Sequence, residues 1–310
     1  MIQVRNLSKF YGEKRAITGL NFQLEKGQIA GLLGRNGAGK TTTIRILTGY
    51  LIPSSGDARI DGKSIFDNPL EAKRNIGYLP ETPPLYEDLS VWDYLSFVSK
   101  IKQVTPDKSN GEIEKVIERT NLQNMKSRLI STLSLGFRKR VGIAQAILGN
   151  PSIVIMDEPI SGLDPQQIIE MRSLIRSLAG DHTVLISSHI LGEIYKTCDK
   201  FLFLQEGQLR YDYNRSELEK EMNRISNLEV QLSGGNLDTE KVFLESIALG
   251  MDGIMIQSSG EGAFLISTPS PEARDGFRKT LLNKISDSSF QLELLRRQEV
   301  SLEQIFMEKV

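Results

Sequence analysis

The stretch Gly34-Arg35-Asn36-Gly37-Ala38-Gly39-Lys40-Thr41 constrains this chain more than any other. It satisfies Gly-x-x-x-x-Gly-Lys-Thr, follows the apolar run Ile29 to Leu33, and opens onto a helical pattern carrying Ile44 and Leu47. A strand, a glycine-rich turn and a helix in that order are the frame of a phosphate-binding loop. Gly34, Gly37 and Gly39 admit backbone conformations in which successive N–H groups turn toward one anion, and the helix adds its positive N-terminal end. Lys40 supplies a point charge for the β- and γ-phosphates, and the Thr41 hydroxyl can ligate Mg²⁺. Arg35, Asn36, Ala38 and Thr42 complete the set of nucleotide-binding positions. The loop predicts a nucleoside-triphosphate site.

A second acidic element suits that site. Ile153-Val154-Ile155-Met156 is an unbroken apolar run, as expected of a strand buried on both faces of a parallel sheet, and it ends in Asp157-Glu158-Pro159. Beside a phosphate loop, Asp157 can enter the coordination shell of Mg²⁺ and Glu158 can polarise the attacking water. Asp164-Pro165 reads as an N-cap followed by proline at the first helical position. His189 follows the strand Thr183 to Ile186, at the sheet edge where α/β folds bind ligands, and is predicted to touch the γ-phosphate. His182, in a Gly-Asp-His turn, is expected to be an ordinary loop residue. Ser134 and Gly136 stand at the start of a helix whose one face carries Phe137, Val141, Ala144 and Leu148.

Strand candidates at Ile2 to Val4, Phe22 to Leu24, Ile29 to Leu33, Ala58 to Ile60 and Ile76 to Leu79 precede a helical stretch at about 85–149. Strands and helices then alternate to residue 215, which predicts an α/β core. After a polar linker at Arg215 to Arg224, residues 216–310 carry the order βαββαβ of a ferredoxin-like domain. This second domain is expected to be accessory or regulatory. With 310 residues there is material for two domains. A formal net charge of −1 argues against general nucleic-acid binding. The single cysteine, Cys198, cannot form an intrachain disulfide and reads as a small buried residue. Met1 to Arg5 reads as a strand, predicting no signal peptide, and no apolar run is long enough to span a bilayer.

Taken in order, these elements resemble the nucleotide-binding subunit of an ATP-binding cassette (ABC) transporter over residues 1 to about 215. The matching positions are Tyr11, the Walker A loop Gly34 to Thr41, and the loop Gly77-Tyr78-Leu79-Pro80-Glu81. The signature Leu133 to Phe137, Walker B Ile153 to Glu158, the D-loop Ser161-Gly162-Leu163-Asp164 and the switch histidine His189 follow. Glu81 stands where the family usually has Gln, keeping an oxygen ligand for Mg²⁺ but losing the amide donors. Leu135 and Phe137 replace a common Gly and Gln. The variant loop at Glu81, the appended domain and Ser301-Leu302-Glu303-Gln304-Ile305-Phe306 resemble the ABC-2 type exporter subgroup.

The resemblance implies a P-loop NTPase core with antiparallel β and helical subdomains, plus the small α+β domain. It implies Mg·ATP as cofactor and substrate, Tyr11 stacked on adenine, and Ser134 and Gly136 meeting the γ-phosphate held by a second subunit. That subunit would be a second copy in a head-to-tail dimer, or a paralogous ABC subunit. The dimer would drive a separate integral-membrane permease from the cytoplasmic face of the membrane, with no nucleic-acid partner. The region of Leu85, Tyr86 and Trp92 is implied as the docking groove, although Trp92 and Leu95 also fit a simple subdomain core. The rival is a soluble ABC ATPase acting on a protein or nucleic-acid complex. Tandem cassettes, long coiled-coil arms or zinc-type cysteine clusters would mark it, and the sequence has none.

Overall fold

In the computed structural model, which describes residues 1–224, 227–260 and 262–298, the chain divides into two compact units, Met1–Arg215 and Ser216–Val310. The first begins with a long hairpin, β1 (Ile2–Tyr11) and β2 (Lys14–Leu24), turned at Gly12-Glu13 so that Tyr11 faces Lys14 at its tip. Register shifts after Val4, Leu7 and Lys9 break the period-two alternation. They explain why the sequence pattern exposes only the ends of these strands. β4 (Ser55–Ile60) and β5 (Lys63–Ser64) complete an antiparallel sheet in the order β2-β1-β4-β5.

The second sheet runs β10-β9-β3-β8-β7-β6. Its strands are β3 (Ile29–Leu33), β6 (Ile76–Leu79), β7 (Ile153–Asp157), β8 (Thr183–Ser188), β9 (Lys200–Gln205) and β10 (Gln208–Asn214). All are parallel except β10, which closes the edge against β9. Every residue of β3, β7 and β8 is buried, which is why β3 and the start of β7 read as continuous apolar runs. The first helix, α1 (Lys40–Leu47), leaves β3 through the glycine-rich turn; α2 (Pro69–Arg74) precedes β6.

Between β6 and β7 lies a helical layer of α3 (Val91–Ile101), α4 (Pro106–Arg119) and α5 (Leu135–Ile147). α5 packs on β6 so closely that a Cβ at Gly77 would meet the Ala146 carbonyl at 2.2 Å. Lys102, just after α3, donates to the carbonyls of Gln145, Ala146 and Leu148 at 2.7, 2.9 and 2.8 Å. It thereby ends α5 on a cation, a favourable match to the negative helix terminus. Burial pulls its ammonium down to about 8. α6 (Pro165–Ser177) and α7 (Leu191–Thr197) finish the unit.

α8 (Arg215–Arg224) leads out of the first unit. In the second, β11 (Asn227–Ser233), α9 (Leu237–Ala248), β12 (Met255–Ser258), β13 (Ala263–Ser267), α10 (Pro271–Ile285) and β14 (Gln291–Gln298) follow. The antiparallel order β12-β13-β11-β14 is the ferredoxin-like arrangement. Leu228, Val230 and Leu232 alternate inward along β11 onto Phe264, Ile266, Phe277 and Leu281, so this unit has a core of its own. Each such side chain contributes roughly 1.5–3 kcal/mol relative to exposure. The segment Ser301 to Phe306 lies outside the described residues.

Candidate functional site

Gly39, the residue before α1, has φ 106°, and a Cβ there would strike Ile17 Cγ2 at 2.6 Å. Only glycine lets the loop fold this tightly under β2. Lys40 is then turned back under the loop, where its Nζ donates to the Gly34 carbonyl at 2.7 Å and lies 3.9 Å from Glu158 Oε1. Burial pulls the Lys40 ammonium below the usual lysine range, while the carboxylates of Glu158, Asp157 and Glu81 hold its charge. Thr41 faces outward at the start of the helix.

The acidic pair sits at the C-terminal end of β7, two strands away in the same sheet. Asp157 is buried and accepts a hydrogen bond from Ser187 Oγ of β8. Glu158 has φ 49°, a left-handed conformation that is uncommon for a residue with a Cβ. Its N–H donates to Ser187 Oγ at 3.0 Å, and its Oε2 is 2.9 Å from Nδ1 of His189. Glu158 is thus fixed at both ends, with the half-exposed His189 ring on its outer side.

One cleft of about 540 Å³ has Tyr11, Lys14, Arg15, Ala16, Arg35, Asn36, Gly37, Gly39, Lys40, Thr41, Thr42, Glu81, Glu158 and His189 on its walls, and Asp157, buried at the end of β7, is not among them. A hairpin tip carrying Tyr11, four basic side chains and a glycine loop suit a base, a sugar and a polyphosphate. Ser134, Gly136 and Asp164 are not in it. They line a second cleft of about 250 Å³ with Phe137, Gln167 and Met171, and the two clefts share no lining residue. Ser134 is the N-cap of α5, accepting from the Phe137 N–H, and Asp164 is the N-cap of α6, accepting from the Gln167 N–H at 2.9 Å.

His182 differs from expectation. It is 1 % exposed, with Nδ1 at 2.6 Å from the Pro151 carbonyl, because the turn before β8 is packed beneath the strand ends. Burial pushes its imidazole below the ordinary histidine value. Cys198 is fully buried, and burial raises its thiol well above the usual range, as befits a packing residue. Sequence reasoning passed over Ser187, whose hydroxyl bridges both acidic residues, and Lys139, which is buried against the turn after Glu158. The pairing of β7 with β8 sets Ser187 opposite Asp157, a neighbour that no local pattern announces.

A phosphate loop leaving a central parallel strand, with a buried acid and a histidine-backed glutamate at the end of another, defines a P-loop nucleoside triphosphatase. A family model described as "ABC transporter" matches residues 17–161. The chain is 42% identical over 238 residues to the bacitracin transport ATP-binding protein BcrA of Bacillus licheniformis, covering 76% of each. Against the protein of the same name from Enterococcus faecalis it is 34% identical over 297 residues, 94% of each. Among solved structures, cbiO1 from Clostridium perfringens, described as part of the ABC transporter complex cbiONQ, superposes with TM-score 0.65 at 26% identity, over 81% of this chain and 95% of that one. The chain belongs to the ABC transporter ATP-binding family and is an ATP-hydrolysing transporter subunit. The alignment with the Enterococcus protein covers 94% of this chain and so extends into the second unit.

Proposed function

We propose that two copies of this chain close head to tail around two Mg·ATP, each copy's Ser134 and Gly136 facing the γ-phosphate in the other's cleft. The separation of the two clefts carries this reading: one chain holds a nucleotide cleft and a signature surface that share no residue. Within each site Glu158 would take the proton of the attacking water, and His189 would steady the carboxylate and reach the γ-phosphate. Tyr11, half exposed at the hairpin tip, would stack on adenine. Mg²⁺ fits the donor set. Thr41 and Glu81 on the cleft wall, with Asp157 buried at the end of β7, would supply a few oxygens, as suits a cation that keeps several waters and phosphate oxygens. No three-carboxylate cage exists among the described residues, and none is required.

Mixing two inactive chains tests the shared site. Lys40→Ala removes the phosphate lysine, and Ser134→Arg fills the signature cleft. A heterodimer of the two retains one intact composite site, so the mixture should recover a clear fraction of wild-type ATPase while each variant alone stays inactive. A mixture no more active than its parts overturns the head-to-tail arrangement.

Among the described residues no helix is long and apolar enough to cross a membrane. The partner we assign is an integral-membrane permease, met on its cytoplasmic side. The docking surface we assign is the loop at Leu85 and Tyr86. Tyr86 is 56% exposed and stands edge-on to Tyr94 and Phe97 at 6.1 and 5.3 Å. Trp92 is instead half-buried, with Lys126 Nζ 4.1 Å from its ring. As the cargo class we propose bacitracin-like compounds, since the relatives named above are bacitracin transport proteins, with export as the direction that the resemblance to the exporter subgroup implies. Tyr86→Asp replaces an aromatic anchor by a charge and should lower bacitracin tolerance conferred in cells roughly tenfold. Basal ATPase should stay near wild type. Unchanged tolerance with unchanged membrane association would remove this surface from the docking site. Residues 216–310 we assign an accessory role in assembly or regulation.

A further inference from the structure

Lys139 is a buried charged side chain that lines neither cleft. It lies on α5, five residues past Ser134, and is 2% exposed. Its Nζ donates to the Glu158 carbonyl at 2.9 Å and to the Ser161 carbonyl at 2.7 Å. Four residues earlier on the same helix face, Leu135 covers the same turn: a Cβ at Gly162 would come within 3.1 Å of its Cδ2. The start of α5 is therefore clamped to the turn Glu158 to Gly162 by one ammonium and one apolar contact.

The backbone at Glu158 needs such a clamp. With φ at 49°, it holds a conformation that costs of order 1–3 kcal/mol unless its surroundings determine it. Ser187 fixes the N–H side, and on the carbonyl side Lys139 Nζ is the nearer of two donors, the Ser161 N–H lying at 3.3 Å. Burial lowers the Lys139 ammonium's pKa, while the carboxylates of Glu81 and Glu158 favour its charge.

We propose that Lys139 is a positioning residue that locks the Glu158 backbone to the signature end of α5. Through it, the arrangement of Ser134 and Gly136 on a nucleotide in one site sets the pose of the catalytic glutamate in the other. This rests on the assignment of Glu158 as the general base and of Ser134 and Gly136 to the opposite site.

The test is steady-state ATPase on the full chain for wild type, Lys139→Gln and Lys139→Met, with melting temperature measured alongside and Glu158→Gln as control. Met keeps most of the unbranched stem and loses every donor; Gln keeps one donor nitrogen. Lys139→Met should lower kcat about tenfold or more with KM for ATP within about twofold, and Lys139→Gln should fall between, roughly threefold down, because the base is displaced and nucleotide binding is not. A side chain that merely holds the fold together would shift melting and leave kcat per folded chain unchanged. That result, or a matching loss in KM, overturns the proposal. Should the Met variant fail to fold, Lys139→Gln decides by the same split: kcat equal to wild type, or a parallel change in KM, overturns it. If Glu158→Gln turns over normally, the base assignment is what fails. If Glu158→Gln is inactive while the Lys139 variants keep their kcat, only this inference falls.

Discussion

Replacing Glu158 by Gln should stop ATP turnover while leaving ATP bound. A positioned general base contributes about 10²- to 10⁴-fold, and a carboxamide cannot accept the water's proton, so kcat should fall by that range. The surrounding geometry makes this substitution a clean one. Glu158 Oε2 contacts His189 Nδ1 at 2.9 Å, and an amide oxygen can accept from the same nitrogen. The backbone of residue 158 is held by Ser187 and Lys139 whatever the side chain. What disappears is the charge 3.9 Å from Lys40 and the capacity to take a proton. A variant that binds ATP without consuming it should also keep two copies closed on it, visible as a nucleotide-dependent dimer in light scattering. Turnover within threefold of wild type would assign the base elsewhere.

How far the site was legible in advance follows from how local its causes are. The phosphate loop is written in consecutive residues because each must solve a backbone problem at its own position, as Gly39 does with φ 106° beneath Ile17. β3 and β7 are equally plain, since strands buried on both faces become apolar runs. Asp164 was readable as a cap and its side chain does cap, as does that of Ser134 at the start of its helix.

Causes that lie across the fold were not legible. Lys139 is buried because the turn after β7 covers its side of α5. The pattern Phe137, Val141, Ala144, Leu148 marks only one face of a helix that is buried almost all round. Nothing in the residues near Lys102 announces that they end beside the C-terminus of α5. His182 looked like a loop histidine because its turn is polar, yet its ring is held under Pro151, a residue far away in sequence. The full length of β1 and β2 was hidden by their bulges.

Removing the ammonium of Lys40 should have the largest effect on nucleotide binding. The side chain is 6% exposed and already committed inward, donating to Gly34 and Arg35 at 2.7 and 3.4 Å, so its position is set before any phosphate arrives. Such preorganisation spares the entropy of ordering a long flexible chain on binding. A hydrogen bond to a charged group is worth roughly 1.5–3 kcal/mol, and losing the cationic partner of the β- and γ-phosphates should cost the upper part of that range. Lys40→Ala should therefore raise the ATP dissociation constant by about 30- to 150-fold, at tenfold per ~1.4 kcal/mol. The fold should survive, because the Gly34 carbonyl then faces an open cleft where water can replace the ammonium. The three carboxylates that hold the Lys40 charge give the substitution a second consequence. Without that cation Glu158, Asp157 and Glu81 face the polyphosphate directly, so like charges add to the lost attraction. ADP lacks the γ-phosphate that the proposed arrangement sets nearest to them, and should accordingly lose less affinity than ATP in the same variant. Titration calorimetry on both nucleotides measures this difference. Equal losses for the two would mean that Lys40 does not reach the γ-phosphate.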